Sequence, residues 1–547
     1  MSTESPDQAS TANPSDAAAR RRTGAFWTGV VLITVGVIMH LPMYVSARDM
    51  HYHMAGMEMD ATMWAGMAAI VIGLVVAGYG LLPRRARYEV AARLRVHAID
   101  DAPIGLRHVG LLLVLAAAVT IDVMKPTALA FVAPGMTQEY GLKSALNPTG
   151  HPPAALLPLF AVTGTVLGAL LWGWLGDRIG RKAAMLFAGL MFTATAICGA
   201  MPSFTLNLLM CSMMGMAAGG MLPVAFTLLS ETIPARHRGW LMVLIGGDIA
   251  GAYALMSWLS EVLTPTYSWR ILWLIGLPTG LLFIVLVRWV PESPRYLLAI
   301  GQQAQARAVL RKYHAEVVPA ERSELEVEAS VASRYRQLLR RPFFGITLAV
   351  ALIGIGIGLV VYGFQLWLPT NLRHLGYSGV TADRMLRDSA LIGFPLNFLV
   401  AYCYHRSARW TLIGLSALVT VALTGFVVLG DAVVDDRLLL GALLVIPIWG
   451  SSSVVAVLAA YSAEVYPTRI RSRGSGLAAA MTKAGGVGVI ALVAAAVTAP
   501  SLRVTALAGA VPMALAAALA LAFAVETRGR RLEEITFDEL QRAAVAG

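Results

Sequence analysis

The chain alternates long apolar segments with short polar ones over most of its length. Fourteen apolar runs approach the roughly 20 residues that a membrane-spanning helix needs. Lipid offers no partner to backbone N–H and C=O groups, so runs of this kind must be helical. The pattern predicts an all-α polytopic membrane protein of about fourteen transmembrane helices. The runs are 25–46, 61–82, 107–133, 153–175, 183–201, 205–230, 240–262, 270–290, 344–370, 387–404, 410–430, 437–463, 473–499 and 503–525.

Composition agrees with this interpretation. Of 547 residues, 57% are hydrophobic and 14% are charged, against roughly 25% charged residues in an average soluble domain. Too little charge is present to cover a soluble protein of this size, which excludes a soluble enzyme. The sequence contains no nucleotide-binding GxxxxGK[ST] loop and no CxxC spacing among its three cysteines. We therefore expect no cofactor and no enzymatic activity, and energy supplied by an ion gradient.

The formal net charge of +11 is concentrated in alternate polar segments. Lys and Arg accumulate in cytoplasmic loops, so this distribution predicts that both termini lie in the cytoplasm. The expected location is the cell membrane (inner or plasma membrane). The charge is thereby explained without nucleic acid as a partner. The basic segments are Arg20–Arg22, 83–106, 176–182, 232–239, 291–343, 464–473 and the tail after 526.

The polar segments also divide the chain into predicted units. No small-residue cleavage site follows the first apolar run, which favours a membrane anchor over an export signal. The 291–343 insert alternates charged and apolar residues and predicts short amphipathic helices. The predicted units are a disordered cytoplasmic tail (1–24), an extra transmembrane hairpin (25–82), a cytoplasmic linker (83–106), a six-helix half (107–290), a cytoplasmic inter-half loop (291–343), a second six-helix half (344–525) and a cytoplasmic tail (526–547).

An internal repeat supports the two halves. The pattern E-x-x-P-x-R-x-R occurs at Glu231–Arg238 and again at Glu464–Arg471, an offset of 464 − 231 = 233. Glu292 and Glu526 form a second pair, at an offset of 526 − 292 = 234. A weaker pair joins Asp177–Arg181 to His405–Arg409, at 405 − 177 = 228. Three pairs at nearly one offset indicate duplicated six-helix units, an architecture typical of secondary transporters.

Three segments carry a resemblance to a known family. Gly173–Lys182 resembles the G-x-x-x-D-R-x-G-R-K signature of the major facilitator superfamily. Pro291–Leu298 and Glu526–Glu534 are similar to the paired signatures of its sugar-porter-like branch. The resemblance covers about residues 107–536. It implies two six-helix halves around a central site and transport by alternating access.

Two departures from the sugar-porter pattern bear on the substrate. The first helix of the second half lacks a Gln/Asn-rich run, and its Tyr362–Thr370 segment is closer to the W-L-P-T ending of aromatic-acid and organic-anion branches. Cys211–Met214 stands where sugar porters carry an arginine. We expect proton-coupled symport of a small organic anion. A sugar or polyol symporter and a drug-efflux protein are the alternatives within the class.

Ionisable residues inside a membrane are costly and mark candidate sites. Asp122 and Lys125 stand three apart on one predicted helix, so they share a face. Asp122 is the first candidate for proton coupling and Asp248 the second; Lys125 is a candidate for an anionic substrate, the alternative being a structural ion pair. Further candidates for substrate binding are Tyr253, Tyr362, Gln365, Asn397 and Lys483, the last of which could instead extend towards the membrane surface.

The charged motif residues suit a gate better than a substrate site. Paired charges at helix ends can hold the halves together on one side and must separate when that side opens. Simple anchoring by positive charge is the alternative. The candidate gating residues are Gly173, Asp177, Arg178, Arg181, Glu231, Arg238, Glu292, Arg295, Glu464 and Arg469.

Gly215 and Gly219 have the small-xxx-small spacing that lets two membrane helices approach closely. A neighbouring helix should therefore cross at these glycines. Such a contact presents little side-chain bulk, so it could also slide when the halves rock.

The extra hairpin has an unusual loop. Eight methionines lie between residues 39 and 67, where the 24 methionines of the chain predict about 1.3. Thioether and imidazole ligands together favour Cu(I), with Met50, His51, His53, Met54 and Met57 as candidate ligands. The alternative is flexible packing by methionine. A hypothesis of a different class follows, in which the chain is a metal-sensing or metal-binding membrane receptor.

Overall fold

The structure is a computed structural model, and it is almost entirely helical. Each of the fourteen apolar runs coincides with one or two of its helices, which confirms the all-α polytopic fold. Eleven helices among the described residues are long and apolar enough to cross a membrane. The described residues are 14–82, 99–143, 147, 149–247, 249–315, 334–365, 368, 372, 379–429, 437–496, 502–532 and 534–535.

The hairpin precedes the first half. Its helices are α1 (Pro14–Ile38), α2 (Leu41–Ser46) and α3 (Ala61–Leu81). The first half then consists of α4 (Leu106–Glu139), α5 (Leu156–Ile179), α6 (Arg181–Ala194), α7 (Phe204–Thr232), α8 (Ala235–Gly246), α9 (Ile249–Tyr267), α10 (Ile271–Leu274) and α11 (Gly276–Val287).

Two short helices follow the first half and lead towards the second. They are α12 (Pro294–Ala299) and the amphipathic α13 (Gln303–Lys312). The second half comprises α14 (Phe344–Leu359), continued by a π-helical turn (Val360–Gln365), then α15 (Gly379–Arg406), α16 (Ala408–Leu429), α17 (Arg437–Val465), α18 (Arg471–Ala496) and α19 (Leu502–Phe523).

Close helix crossings use small residues. Gly215 and Gly219 of α7 lie against the backbone carbonyl groups of Ala161 and Thr165 on α5, so the predicted contact is confirmed. Across the halves, a Cβ atom at Gly173 would lie 2.6 Å from the carbonyl oxygen of Ser472. The first glycine of the motif therefore lets α5 and α18 meet backbone to backbone. We call the end of the bundle where α5 ends and α8 begins the motif end.

The hairpin is packed as closely as the core. A Cβ atom at Gly36 of α1 would lie 2.6 Å from the carbonyl oxygen of Gly66 on α3. A Cβ atom at Gly73 would lie 2.9 Å from the carbonyl oxygen of Gly29. The glycines recur at whole-turn intervals on the facing sides, so the two helices touch over most of their length.

The loop of the hairpin covers the end of the first half opposite the motif end. Glu139, the last residue of α4, accepts hydrogen bonds from the backbone N–H groups of Met54 (2.7 Å) and Ala55 (3.1 Å). The same carboxylate forms an ion pair of 2.6 Å with the buried Arg270. The Tyr44 hydroxyl donates to the Tyr267 carbonyl at 2.6 Å. The hairpin is thus firmly attached to the first half.

This packing gives the proposed Cu(I) site no support. Met54 is fully buried in a cluster with Tyr44 and Tyr52, whereas His51 and His53 are exposed. Among the described residues, no group of three or more His, Cys, Asp or Glu side chains is placed to hold a metal. The exposed Met50 and half-buried Met57 complete the candidate set. Met54 serves here in packing, as the alternative interpretation proposed, and Met57 packs against the same cluster.

The hairpin contact yields a first prediction. Gly36→Val should lower the unfolding temperature of the purified protein by several degrees, because overpacking a tight contact costs about 1–3 kcal/mol. Gly414→Val is the matched control, since Gly414 lies on an exposed face of α16 and a Cβ atom added there would have no neighbouring atom within 4 Å. Thermal unfolding in detergent measures both. Equal unfolding temperatures for the two variants would contradict a tight α1–α3 contact.

Candidate functional site

Opposite charges from the two halves influence each other in the interior of the bundle. Asp122 on α4 is only 2% exposed, and no described residue hydrogen-bonds to its Oδ1 atom. The charged group that acts on it electrostatically is Lys483 of α18, in the other half. A buried carboxylate with a free acceptor atom and a cation across the interface is an arrangement that a proton or an anion can alter.

Lys483 is held beside an aromatic ring. Its Nζ atom lies 3.3 Å from the Tyr362 hydroxyl oxygen and 5.7 Å from the centre of the Tyr362 ring. The ring itself lies against Gly486, one turn along α18 from Lys483, where any larger residue would collide with it. The absence of a side chain at Gly486 therefore positions both groups.

Gln365 is anchored within its own half. Its Nε2 atom donates to the Pro447 carbonyl (2.8 Å), the Ile448 carbonyl (3.3 Å) and the Ser451 hydroxyl (2.7 Å) of α17. Gln365 ends the π-helical turn that follows α14. Local π-helical turns are frequent at functional sites, because they re-aim side chains. Here the turn directs the amide onto the Pro447 segment.

Asn397 lies close to the first half. Its Oδ1 atom accepts from the Ser453 hydroxyl at 3.1 Å, and its amide lies 3.7 Å from the Cβ position of Gly247 at the end of α8. The next residue, the predicted coupling acid Asp248, lies outside the described residues, as does the side chain of Tyr253.

Lys125 faces away from Asp122, into the packing of its own half. Its ammonium group donates to the Phe192 carbonyl (2.5 Å) and the Thr195 hydroxyl (2.8 Å), and it lies 4.5 Å from the Phe192 ring centre. A Cβ atom at Gly276 would lie 2.9 Å from its Nζ atom. In this conformation, Lys125 joins α4 to α6, and its hydrogen bonds go to Phe192 and Thr195 of its own half.

The two copies of the E-x-x-P-x-R-x-R motif exchange partners at the motif end. Arg471 of the second copy pairs with Glu231 of the first at 2.6 Å. Arg238 of the first copy pairs with Glu464 of the second at 3.1 Å. All four side chains are almost wholly buried. Each ion pair therefore links one half to the other, and both must break if the motif end opens.

Asp177 makes a further link between the halves. It accepts hydrogen bonds from the backbone N–H groups of Ser472 and Arg473, both at 3.1 Å, and from the Arg473 side chain at 2.8 Å. The carboxylate lies at the start of α18, where a negative charge stabilises the helix. Arg181 lies beside it, 2.9 Å from Glu231 and 3.0 Å from the Thr468 carbonyl of the second half.

The paired glutamates after each half perform one structural task. Glu292 accepts from the backbone N–H of Arg181 at 2.9 Å, at the start of α6. Its counterpart Glu526 accepts from the backbone N–H of Ala408 at 3.0 Å, at the start of α16. Burial raises the pKa of Glu292, and its backbone donors together with Arg181 act in the opposite direction. Both residues therefore cap helices within their own halves.

The remaining candidates differ in exposure. Arg178 is exposed and stacks on Trp174, 5.0 Å from its ring centre. Arg469 contributes its backbone carbonyl to Arg473 at 3.2 Å. The arginine of the second half that pairs with Glu231 is Arg471. The repeat relates Arg471 to Arg238 by the same offset of 233, so that signal was present in the sequence.

Asp100 is a participant that sequence reasoning missed. It is buried between two arginines, Arg238 of α8 (3.2 Å) and Arg295 of α12, and its carbonyl accepts from the Ala235 N–H at 3.2 Å. Arg238 is also the arginine that reaches Glu464. The acid belongs to the end of the linker after the hairpin, and no spacing in the sequence connects it with residues 138 and 195 positions away.

These features define a polytopic transporter of two pseudo-equivalent halves, closed at its motif end. The family model "Sugar (and other) transporter" matches residues 153–538. The niacin transporter NiaP of Acinetobacter baylyi is 30% identical over 401 residues, covering 72% of this chain and 88% of that protein. The 4-hydroxybenzoate transporter PcaK of Pseudomonas putida is 32% identical over 289 residues, covering 51% and 61%.

Solved structures agree on the fold. The proton:xylose symporter XylE gives a TM-score of 0.63 at 19% identity, with 79% of this chain and 98% of that chain covered. The human organic anion transporter MFSD10 gives 0.58 at 14% identity, covering 76% and 99%. The chain belongs to the sugar (and other) transporter family of the major facilitator superfamily. It is a transporter and not an enzyme.

A second prediction concerns Asp100. Asp100→Asn should destabilise the purified protein by about 3–5 kcal/mol, since removing one partner leaves buried arginine charge uncompensated. The neighbouring Asp101→Asn is the matched control. Asp101 is 62% exposed and pairs with Arg531 at 2.7 Å, an exposed contact worth about 0–1 kcal/mol. Thermal unfolding compares the two, and a larger loss for Asp101→Asn would contradict the assignment.

Proposed function

We propose that the protein carries a small aromatic or other carboxylate across the inner (plasma) membrane together with a proton, by alternating access. The observation that carries this proposal is the Asp122–Lys483 arrangement. It combines a protonatable acid and a cation from opposite halves at membrane depth. Both charges are costly in this environment unless they compensate each other or a ligand.

The arrangement provides a coupling mechanism. While Asp122 is ionised, its charge attracts Lys483 and competes with any anionic substrate for the ammonium group. A proton on Asp122 removes that competition, so the substrate carboxylate gains Lys483 as its counter-ion. Loading of proton and anion is then mutually favourable. The interior is neutral before loading, when Asp122 faces Lys483, and it stays neutral after loading, when the substrate carboxylate faces Lys483.

The motif end supplies the gate. The basic loops favour a cytoplasmic location for this end, and its closure is the condition that an outward-facing state requires. The pairs Glu231–Arg471, Glu464–Arg238 and Asp177–Arg473 hold it shut. Opening of the motif end separates these buried charges, which costs free energy. Closure of the halves around the substrate at the opposite end must supply the free energy that offsets this cost.

The aromatic carboxylate class is favoured over a sugar by two features. The Tyr362 ring beside Lys483 offers a flat apolar surface next to a cation, which suits an aromatic acid. The Gln365 amide group already donates to three acceptors on α17, which leaves it poorly suited to recognise sugar hydroxyls. The relatives named for niacin and 4-hydroxybenzoate transport fit the same class.

The coupling role of Asp122 is tested by uptake into proteoliposomes. With an imposed proton gradient, the parent protein should accumulate nicotinate or 4-hydroxybenzoate. Asp122→Asn should lose that accumulation while retaining exchange without a gradient, because an amide cannot release a proton. Asp49→Asn, in the exposed hairpin loop, is the matched control and should transport normally. Gradient-driven accumulation by Asp122→Asn would refute the role, and accumulation of xylose alone would indicate a sugar symporter.

The role of Lys483 is tested by binding. Lys483→Gln should weaken nicotinate binding about tenfold or more, since hydrogen bonds to charged groups contribute about 1.5–3 kcal/mol. Binding of nicotinamide, which lacks the carboxylate, serves as the internal control and should change little. Isothermal calorimetry measures both ligands. An equal loss for nicotinate and nicotinamide would show that Lys483 does not recognise the carboxylate.

A further inference from the structure

The two halves differ at one pseudo-equivalent position of the motif end. On one side, Asp177 pairs with Arg473 at the start of α18. The repeat offsets relate Asp177 to His405 (177 + 228) and Arg473 to Trp240 (473 − 233). The carboxylate–arginine pair between α5 and α18 therefore has no counterpart between α15 and α8, where a histidine and a tryptophan stand in its place.

A cleft of about 350 Å³ lies at that position. Arg236, His237 and Trp240 of α8 line one wall, and His405 of α15 lines the other. In the described part of the chain, no ion pair joins Arg236 or His405 to a carboxylate. The described residues that line the cleft thus include basic side chains and no carboxylate.

The electrostatics of the basic groups also favour an anion in the cleft. Burial lowers the pKa of His237, and the positive charges of Arg236 and His405 lower it further. An anion in the cleft would act in the opposite direction and favour the charged form of His237. The neighbouring Trp240 orients the imidazole, since its Nε1 atom donates to His237 Nδ1 at 3.3 Å.

The inner part of the cleft is apolar and open to lipid. Leu244 on α8 and Phe398 on α15 lie two turns from the basic groups, which is about 10–12 Å deeper along the helices. Phe398 is 62% exposed and Tyr402 is 55% exposed. A basic mouth at the membrane surface above an apolar track matches an amphiphile better than a soluble anion.

We propose that this cleft binds an anionic phospholipid of the leaflet on the motif-end side. Its phosphate lies among Arg236, His237 and His405, and its acyl chain follows Phe398 and Tyr402. Since α8 belongs to the first half and α15 to the second, the lipid links the halves. The headgroup takes the place that Asp177 fills on the opposite side, and it favours the conformation closed at the motif end.

Native mass spectrometry of the full-length protein in detergent tests the site. Phosphatidylglycerol should bind more tightly than phosphatidylcholine with the same acyl chains. Arg236→Gln should weaken phosphatidylglycerol binding about fivefold, and adding His405→Gln should weaken it further. Arg288→Gln is the matched control, because Arg288 is an exposed arginine beside the exposed Trp289 near the same end and lines no part of the cleft. It should bind as the parent does.

Three results would overturn the proposal. They are equal affinity for the two lipids, unchanged binding in both basic-site variants, and displacement of the lipid by an equal concentration of glycerol 3-phosphate, which would indicate a soluble-phosphate site. Should Arg236→Gln fail to fold, quenching by brominated phosphatidylglycerol decides instead. The fluorescence of Trp240 is obtained as the difference between the parent protein and Trp240→Phe. Brominated phosphatidylglycerol should quench this fluorescence more strongly than brominated phosphatidylcholine does. Equal quenching by the two lipids would count against the site.

Discussion

The closed conformation depends on the exchange of buried ion pairs between two copies of one motif. Glu231 finds its partner in Arg471 and Glu464 finds its partner in Arg238, so each half completes the charges of the other. Single buried charges would be strongly destabilising. The halves must therefore stay together at this end unless a rearrangement brings other partners, which makes the same contacts both a source of stability and a switch.

Close backbone packing allows these charges to meet. Gly173 brings Ser472 against α5, and Asp177, one turn further on, then reaches the N–H groups at the start of α18. The two hairpin helices are also packed backbone to backbone at small residues, with Gly36 against Gly66. Lipid supplies no hydrophobic force between helices, so contact at small residues and buried polar bonds together hold such a bundle.

The hairpin and its linker are tied to both ends of the core. The loop meets Glu139 and Arg270 at one end, and Asp100 in the linker joins Arg238 at the other. A segment outside the repeat thereby contributes to the network that closes the motif end. The Asp100 carboxylate pairs with Arg238, the same arginine that links the halves. The position of the hairpin and the closure of the motif end are therefore physically connected.

Much of the architecture was predictable because it follows from local pattern. Apolar run length predicts the helices, and lipid leaves no other backbone structure possible. The repeated motif predicts duplicated halves, and the spacing of Gly215 and Gly219 predicts a crossing. The structure adds the pairing, in which the second arginine of each copy meets the glutamate of the other.

The sequence alone determined the class of protein, its two halves and its charged motif end, because length, periodicity and spacing are properties of neighbouring residues. Tertiary structure decided which groups meet. Lys125 stands three residues from Asp122, yet a helix surrounded by neighbours turns them towards different partners. Asp122 instead interacts electrostatically with Lys483, 361 positions away (483 − 122). Met54 is buried rather than free to bind copper. Burial and partner choice over such distances depend on how the whole bundle packs.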